Sequence, residues 1–400
     1  MSSSIRMAVL AAALPALVVA QAPQPQTVSS SAGAIKVERL ASLEFPWAIA
    51  ALPDGRLLIT EKPGRLRIFA DGQLSPPIEG VPKTSYRERK AEQGGLLDVA
   101  VDPDFANNRR IYLSFSEPAE QQSPDQKETD DPRFAGNIDL TDNMVVGGAV
   151  VSATLDGTRL SDLKVIWRQT PKTIGRGHFG GRMVFGKDGT LFITSSERMR
   201  FDPAQDTNTN LGKIVRINPD GSMPKDNPYA GNQGGREDLW TIGHRSLLAM
   251  AMQPSGQLWV LEMGPLGGDE LNLIERGANY GWPIVSDGDN YDKSPIPDHK
   301  TRPEFKAPVK TWTPVISPSG ALFYDGSMFP WKGDLIAGGL SSQAIIRLTL
   351  DGGKVKNEER LAMAHRIRDV LQAADGAILA ITDEKAGALL RLTPAKGATR

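Results

Sequence analysis

The sequence predicts an all-β chain folded as a six-bladed β-propeller. Three observations carry this: a turn-and-strand unit that recurs along the chain, its six copies, and glycines and prolines spread between apolar runs. Leu52-Pro53-Asp54-Gly55-Arg56-Leu57-Leu58-Ile59-Thr60 returns as Phe185-Gly186-Lys187-Asp188-Gly189-Thr190-Leu191-Phe192-Ile193-Thr194 and as Ala374-Asp375-Gly376-Ala377-Ile378-Leu379-Ala380-Ile381-Thr382. Weaker copies run from Asp102 to Ser114, Gln253 to Leu261 and Phe323 to Ala337. Each pairs turn residues with a short apolar run, as expected of an inner strand entered from a tight turn. Repetition at this long period in a β-rich chain points to radial blades, one per copy. The 40 glycines and 29 prolines fall between strands without low-complexity tracts, which favours turns over disorder.

Taken in chain order, residues 1–20 read as a signal peptide: Arg6, an apolar run from Met7 to Ala20, and a plausible cleavage point at Ala20. That run is shorter than the ~20 apolar residues a membrane span needs. Export to a periplasm or secretion is expected, and a chain without cysteine fits export without disulfides. Residues 21–35 read as a flexible linker and 36–394 as one propeller domain. From about 118 to 142 the chain turns polar and proline-rich (Gln121, Gln122, Asp125, Glu128, Asp130, Asp131), which marks a surface insertion between blades. The tail after Pro394 reads as frayed. Charge is nearly balanced, with 46 basic and 47 acidic side chains and no Lys/Arg block, so neither nucleic acid nor an anionic membrane is an expected partner. A small-molecule substrate is.

Several segments carry chemistry. Gly175-Arg176-Gly177-His178-Phe179-Gly180 satisfies the dinucleotide fingerprint formally. A turn and another strand follow it where a helix would be needed, so the Rossmann reading is rejected. What remains is His178 among glycines that leave its imidazole uncovered, a candidate general base; a turn histidine bonded to backbone fits the motif equally. In Arg366-Ile367-Arg368-Asp369-Val370, residues two apart share a strand face, so Arg366 and Arg368 form a fork for carboxylate or phosphate, or a pair of rim salt bridges. Met263-Gly264-Pro265-Leu266-Gly267-Gly268-Asp269-Glu270 presents carbonyls and carboxylates that suit calcium better than a transition metal. Gly243-His244-Arg245-Ser246 adds another positive group, and Gln93 ends a polar stretch before a strand. Serine hydrolase, zincin and P-loop motifs are absent from the sequence.

Together these segments resemble the soluble quinoprotein sugar dehydrogenases, the aldose sugar dehydrogenases that depend on pyrroloquinoline quinone (PQQ). The resemblance runs from about Val37 to Leu392 through Phe45-Pro46-Trp47-Ala48, Gln93-Gly94-Gly95-Leu96-Leu97-Asp98-Val99, His178-Phe179-Gly180-Gly181-Arg182, Gly267-Gly268-Asp269-Glu270, Asn279-Tyr280-Gly281-Trp282-Pro283 and Arg366-Ile367-Arg368-Asp369-Val370. It implies the six-bladed propeller independently of the repeat count. It makes His178 the base that takes the proton of the sugar's anomeric hydroxyl while hydride passes to the quinone, yielding a lactone. It makes Gln93, Arg245, Tyr291, Arg366 and Arg368 the cofactor contacts. Main-chain oxygens of Gly264 and Pro265 would hold an active-site calcium, and Glu270 and Tyr280 a second, structural one. An external electron acceptor is implied, since no haem attachment motif is present. The chain departs from the family at Ser246, where an asparagine usually follows the arginine, and at Ser341, near the place of a lysine that faces the quinone. A carbohydrate-binding propeller without redox chemistry and a calcium-dependent lactonase are the competing readings.

Overall fold

The computed structural model describes residues 26–89, 92–122, 144–231 and 234–395. Its strands form six antiparallel sheets. Blade 1 comprises Pro46–Ala51, Leu57–Glu61, Arg65–Ala70 and Gln73–Leu74; blade 2 comprises Leu96–Val101, Arg110–Pro118, Val145–Asp156 and Arg159–Arg168. Blade 3 is built from Gly180–Phe185, Leu191–Ser195, Lys213–Ile217 and Leu239–Ile242, and blade 4 from Ser246–Met252, Leu258–Met263, Asp269–Ile274 and Lys310–Trp312. Blade 5 takes Pro318–Phe323, Leu335–Gly339, Ala344–Asp351 and Lys354–Ala362. Blade 6 takes Ile367–Gln372, Ile378–Thr382 and Ala388–Pro394, and is completed from the other end of the chain by Gly33–Ser42 and Gln26–Ser30.

That closure corrects the expected linker over its described part, residues 26–35; residues 21–25 lie outside the described residues. Gly33–Ser42 pairs with Ala388–Pro394 in the register Val37 to Leu392, and Gln26–Ser30 pairs in turn with Gly33–Ser42. Val28, Ile35 and Val37 are buried against blades 5 and 6, so polar spacing there hides an alternating strand. The expected signal peptide lies outside the described residues. So do most of the expected insertion and the tail beyond residue 395; Pro118, at the insertion's start, still pairs with Val146. Among the described residues no helix is long and apolar enough to cross a membrane.

All six repeats fall at the same place, the turn between the first and second strands of a blade. The repeated apolar run is therefore the second strand and not the one nearest the axis. Those second strands are buried on both faces, as in Leu57–Glu61, Leu191–Ser195 and Ile378–Thr382, which explains their continuous apolar character. The outer strand Lys354–Ala362 is instead mostly charged, a protected edge. Six apolar clusters fill the six interfaces between neighbouring blades; one of them joins blade 6 (Leu379, Ile381, Leu389) to blade 1 (Ile49, Leu57, Ile59) and closes the ring.

Each first strand carries a register shift at its axial end, between Pro46 and Ala48, Leu96 and Val99, Gly180 and Met183, Leu247 and Ala249, Ser319 and Ala321, and Ile367 and Asp369. A bulge re-aims side chains. Here it releases Trp47, Asp98, Arg182, Leu248 and Arg368 from the ladder. Three of these (Trp47, Leu248, Arg368) line a cavity. The Arg182 guanidinium lies beneath, over the Trp47 ring at 4.1 Å, donating to Asp369 at 2.9 Å and to the carbonyls of Leu248 and Arg368. Burial pushes the Asp98 carboxyl up to about 7, with Arg182 opposing and Asp369 adding to the shift.

Candidate active site

The cavity encloses about 480 Å3, the size of a cofactor site. Its wall draws on Phe45, Trp47 and Lys62 of blade 1, Glu92 and Gln93 before blade 2, Phe179 and Gly180 of blade 3, and Arg366, Arg368 and Asp383 of blade 6.

His178 is held from two sides. Its backbone N–H donates to Gln93 Oε1 at 2.9 Å, and its Nδ1 lies 2.7 Å from Glu197 Oε1. The Glu197 carboxylate also accepts the backbone N–H groups of Arg200 and of Phe201, the latter at 3.0 Å. Burial opposes ionisation of Glu197, but the His178 hydrogen bond, the nearby charge of Arg245 and the Phe201 N–H outweigh it and hold its carboxyl below the usual range. A carboxylate at that oxygen requires the proton on Nδ1, leaving Nε2 as the acceptor. The glycines do not leave the imidazole uncovered as expected: His178 is only 6% exposed. They serve backbone geometry instead, Gly180 and Gly181 having φ of 72° and 90°. His178, Arg198, Met199 and Phe201 are left-handed without being glycine (φ 49–57°), a local cost of about 1–3 kcal/mol each that the surrounding bonds must sustain. Arg198 contributes to that restraint, donating to the carbonyls of Gly175, Gly177 and Val146 and packing on the Phe179 ring at 3.9 Å.

Arg366 and Arg368 reach the same cavity although Arg366 precedes the strand Ile367–Gln372 and Arg368 lies in its bulge, and the salt-bridge reading of the pair is the one seen. Each lines the cavity and each pairs with Asp383 at 2.9 Å. Burial would raise the Asp383 pKa, yet the charges of Arg368, Lys62 and Arg366 hold its carboxyl far below the usual range. Sequence reasoning missed Lys62, Glu197 and Asp383. The only signals were an acidic residue soon after a repeated strand for Asp383 and Glu197, and a lysine in the same place for Lys62.

Arg245 and Tyr291 meet outside the lining of the large cavity, Arg245 Nη2 donating to the Tyr291 hydroxyl at 3.0 Å. Arg245 Nη1 donates to the carbonyls of Met263 (2.9 Å) and Gly264 (2.7 Å). The Gly264 oxygen expected to hold calcium therefore already accepts from a guanidinium, and a cation there would have to displace Arg245 from it. Asp269 is not free to ligate: its oxygens accept the N–H groups of Gly264, Ile316 and Ser317, tying blade 4 to blade 5. Glu270 and Tyr280 lie away from the large cavity. They share a void of about 10 Å3 with Glu262, Arg245 and Gly264, room for one water or ion. Burial and the facing Glu262 push Glu270 up to about 8, and the Asn272 Oδ1 is buried without a partner. The Glu262 and Glu270 oxygens suit a second cation, whereas the Tyr280 hydroxyl is engaged, donating to the Leu273 carbonyl at 2.7 Å and accepting the Glu275 N–H at 2.9 Å.

Ser246 is buried, with an unpartnered hydroxyl. Ser341 is exposed and donates to the Val315 carbonyl at 3.1 Å.

The family model for glucose/sorbosone dehydrogenases matches residues 43–391. The aldose sugar dehydrogenase YliI of Escherichia coli K12 is 38% identical over 362 residues, covering 88% of this chain and 91% of the relative. A crystal structure of a glucose dehydrogenase superposes with a TM-score of 0.80 at 42% identity, over 90% of this chain and 99% of that one. The PQQ-bound aldose sugar dehydrogenase of Streptomyces coelicolor superposes with a TM-score of 0.68 at 25% identity, over 90% and 98%.

Proposed function

Since the chain belongs to the glucose/sorbosone dehydrogenase family, we propose that it is an exported quinoprotein that oxidises aldose sugars to lactones with PQQ and calcium and passes the electrons to an external acceptor. The observation that carries this reading is the His178–Glu197 pair set beside a cavity whose wall bears Arg366 and Arg368.

His178 Nε2 takes the proton of the anomeric hydroxyl. Glu197 keeps the proton on Nδ1 beforehand and stabilises the imidazolium afterwards, the role of the acid in a catalytic triad. Gln93 fixes the strained His178 backbone, so the imidazole is placed before substrate arrives. Arg366 and Arg368 would hold the cofactor's carboxylates, with Arg245 and Tyr291 as further contacts. Bound PQQ would supply the hydride acceptor that no protein side chain offers, and a calcium on the Gly264 and Pro265 oxygens, displacing Arg245 from the first, would polarise its carbonyl. Glu270 and Tyr280 would hold the second calcium. Arg6 and the apolar run after it support export to a periplasm.

A second reading, a propeller that binds carbohydrate without redox chemistry, is favoured by Ser246 and Ser341, neither of which offers the cavity a charge. One experiment separates the two. The calcium-loaded protein is titrated with PQQ by quinone absorbance, and aldoses are then added with an artificial electron acceptor. Saturable binding with dye reduction is expected; absence of PQQ binding at high micromolar concentration would remove the quinoprotein reading in favour of the second.

A further inference from the structure

Lys62 follows the second strand of blade 1, and its side chain lines the large cavity while remaining only 10% exposed. Its backbone is held firmly. Lys62 N donates to the Phe45 carbonyl at 2.9 Å, and its carbonyl accepts from Leu96 N at 3.0 Å. That approach is possible because Gly95, at φ 129°, has no Cβ; one built there would overlap the Lys62 carbonyl.

The ammonium, by contrast, is poorly satisfied: besides one hydrogen bond and one ion partner it has, among the described residues, only the Phe45 ring, 5.2 Å from its nitrogen. Its one hydrogen bond, to the Glu92 carbonyl, is 3.4 Å long, and its ion partner Asp383 lies 3.8 Å away. The two Asp383 oxygens are already engaged, Oδ2 by Arg366 and Oδ1 by Arg368, each at 2.9 Å. The Glu92 carboxylate is committed to Arg89 and to the Gly94 N–H. Lys62, Arg366 and Arg368 thus share one carboxylate, three positive charges against one negative, an excess of two. An ammonium has three donors, and a buried charge is tolerated when those donors are met. Burial already pulls the Lys62 amine below the usual lysine range, the direction expected of a cation short of partners.

We propose that Lys62 is a further cofactor-anchoring residue, whose ammonium binds an anionic oxygen of the quinone alongside Arg366 and Arg368; this rests on the quinoprotein reading above. A carboxylate or quinone oxygen from the cavity would complete the donors that Asp383 and Glu92 leave open. No other cation of the wall is both deeply buried and so thinly partnered among the described residues.

The test is equilibrium binding of PQQ, followed by absorbance with no substrate present, to the calcium-loaded wild type, Lys62→Met and Lys62→Arg, with melting curves to establish folding. Losing one charge-assisted contact should weaken binding at least tenfold in Lys62→Met. Lys62→Arg keeps the charge and should stay within a fewfold of wild type. Equal affinity of wild type and folded Lys62→Met would overturn the assignment and leave the quinoprotein reading intact. A wild type that binds no PQQ would overturn both. If Lys62→Met fails to fold, the uncharged but polar Lys62→Gln carries the test through salt dependence: its affinity should fall with salt less steeply than that of wild type, and an equal slope would overturn the charge contact.

Discussion

Replacing Glu197 with glutamine isolates the proton position on His178. The two backbone N–H groups of Arg200 and Phe201 both converge on Glu197 Oε2, while Oε1 faces His178 Nδ1 at 2.7 Å. An isosteric amide must put its oxygen where the two donors point, because turning its NH2 there would leave two buried N–H groups unsatisfied at about 1–3 kcal/mol each. The NH2 then faces Nδ1, which has to become the acceptor, and the imidazole proton moves to Nε2. The imidazole is present, in place, and unable to accept a proton. General-base assistance is worth about 10²–10⁴ in rate, so kcat for aldose oxidation with saturating PQQ, read by reduction of an artificial dye, should fall by that factor. PQQ affinity should change little, since Glu197 is shielded from the cavity. His178→Gln should fall as far, and the double variant no further, because the two residues act as one unit. A Glu197→Gln enzyme with kcat within about threefold of wild type and unaltered PQQ binding would refute the tautomer argument.

Other consequences follow from the same geometry. Asp383→Asn leaves Lys62, Arg366 and Arg368 without their shared anion and should destabilise the protein by about 3–5 kcal/mol at neutral pH, measured by denaturant unfolding. Because the folded Asp383 pKa is depressed, its contribution is present above the unfolded value of 3.8 and lost as pH falls through the lower folded value. Wild type and Asp383→Asn should therefore converge in stability only in strong acid. Gly95→Ala should cost about 1–3 kcal/mol or more, through the positive φ and the Lys62 carbonyl, and should weaken PQQ binding in the same variant. A chain starting at Leu43, which lacks both closing strands, should melt well below one starting at Gln26 and aggregate through the exposed edge of Ala388–Pro394. Equal melting temperatures would contradict the closure.

The propeller was legible because its determinants are local. An Asp-Gly turn followed by an apolar run is a short-range signal, and six copies of it count six blades whatever lies between them. The Arg366/Arg368 pair was legible only in part, since its spacing reads as one strand face whereas Arg366 lies before the strand and it is the bulge that turns Arg368 to the cavity. The closing strands were not, because Gln26–Ser30 and the start of Gly33–Ser42 read as a linker until Ala388–Pro394, at the other end of the chain, gives Gly33–Ser42 its register and Gln26–Ser30 pairs onto that strand in turn. Nor was the covering of His178, since glycines in a sequence signal freedom and only packing shows what fills the space they open.

Most of the site's electrostatics belong to the second kind. Glu197 and Asp383 each sit at the end of a second strand, ordinary acidic residues by sequence, and Lys62 an ordinary basic one. They acquire meaning because six bulges turn the axial ends of the first strands inward and bring blades 1, 3 and 6 to one cavity. Thus the sequence by itself determined the repeating unit, the blade count and the residue types that do chemistry, all set within a few residues along the chain. Only the tertiary structure decided which charges share a partner, which nitrogen of His178 is left to accept a proton, and which lysine faces the ligand. Those depend on distances between residues far apart in the chain, and on burial that strengthens every charge left without a partner.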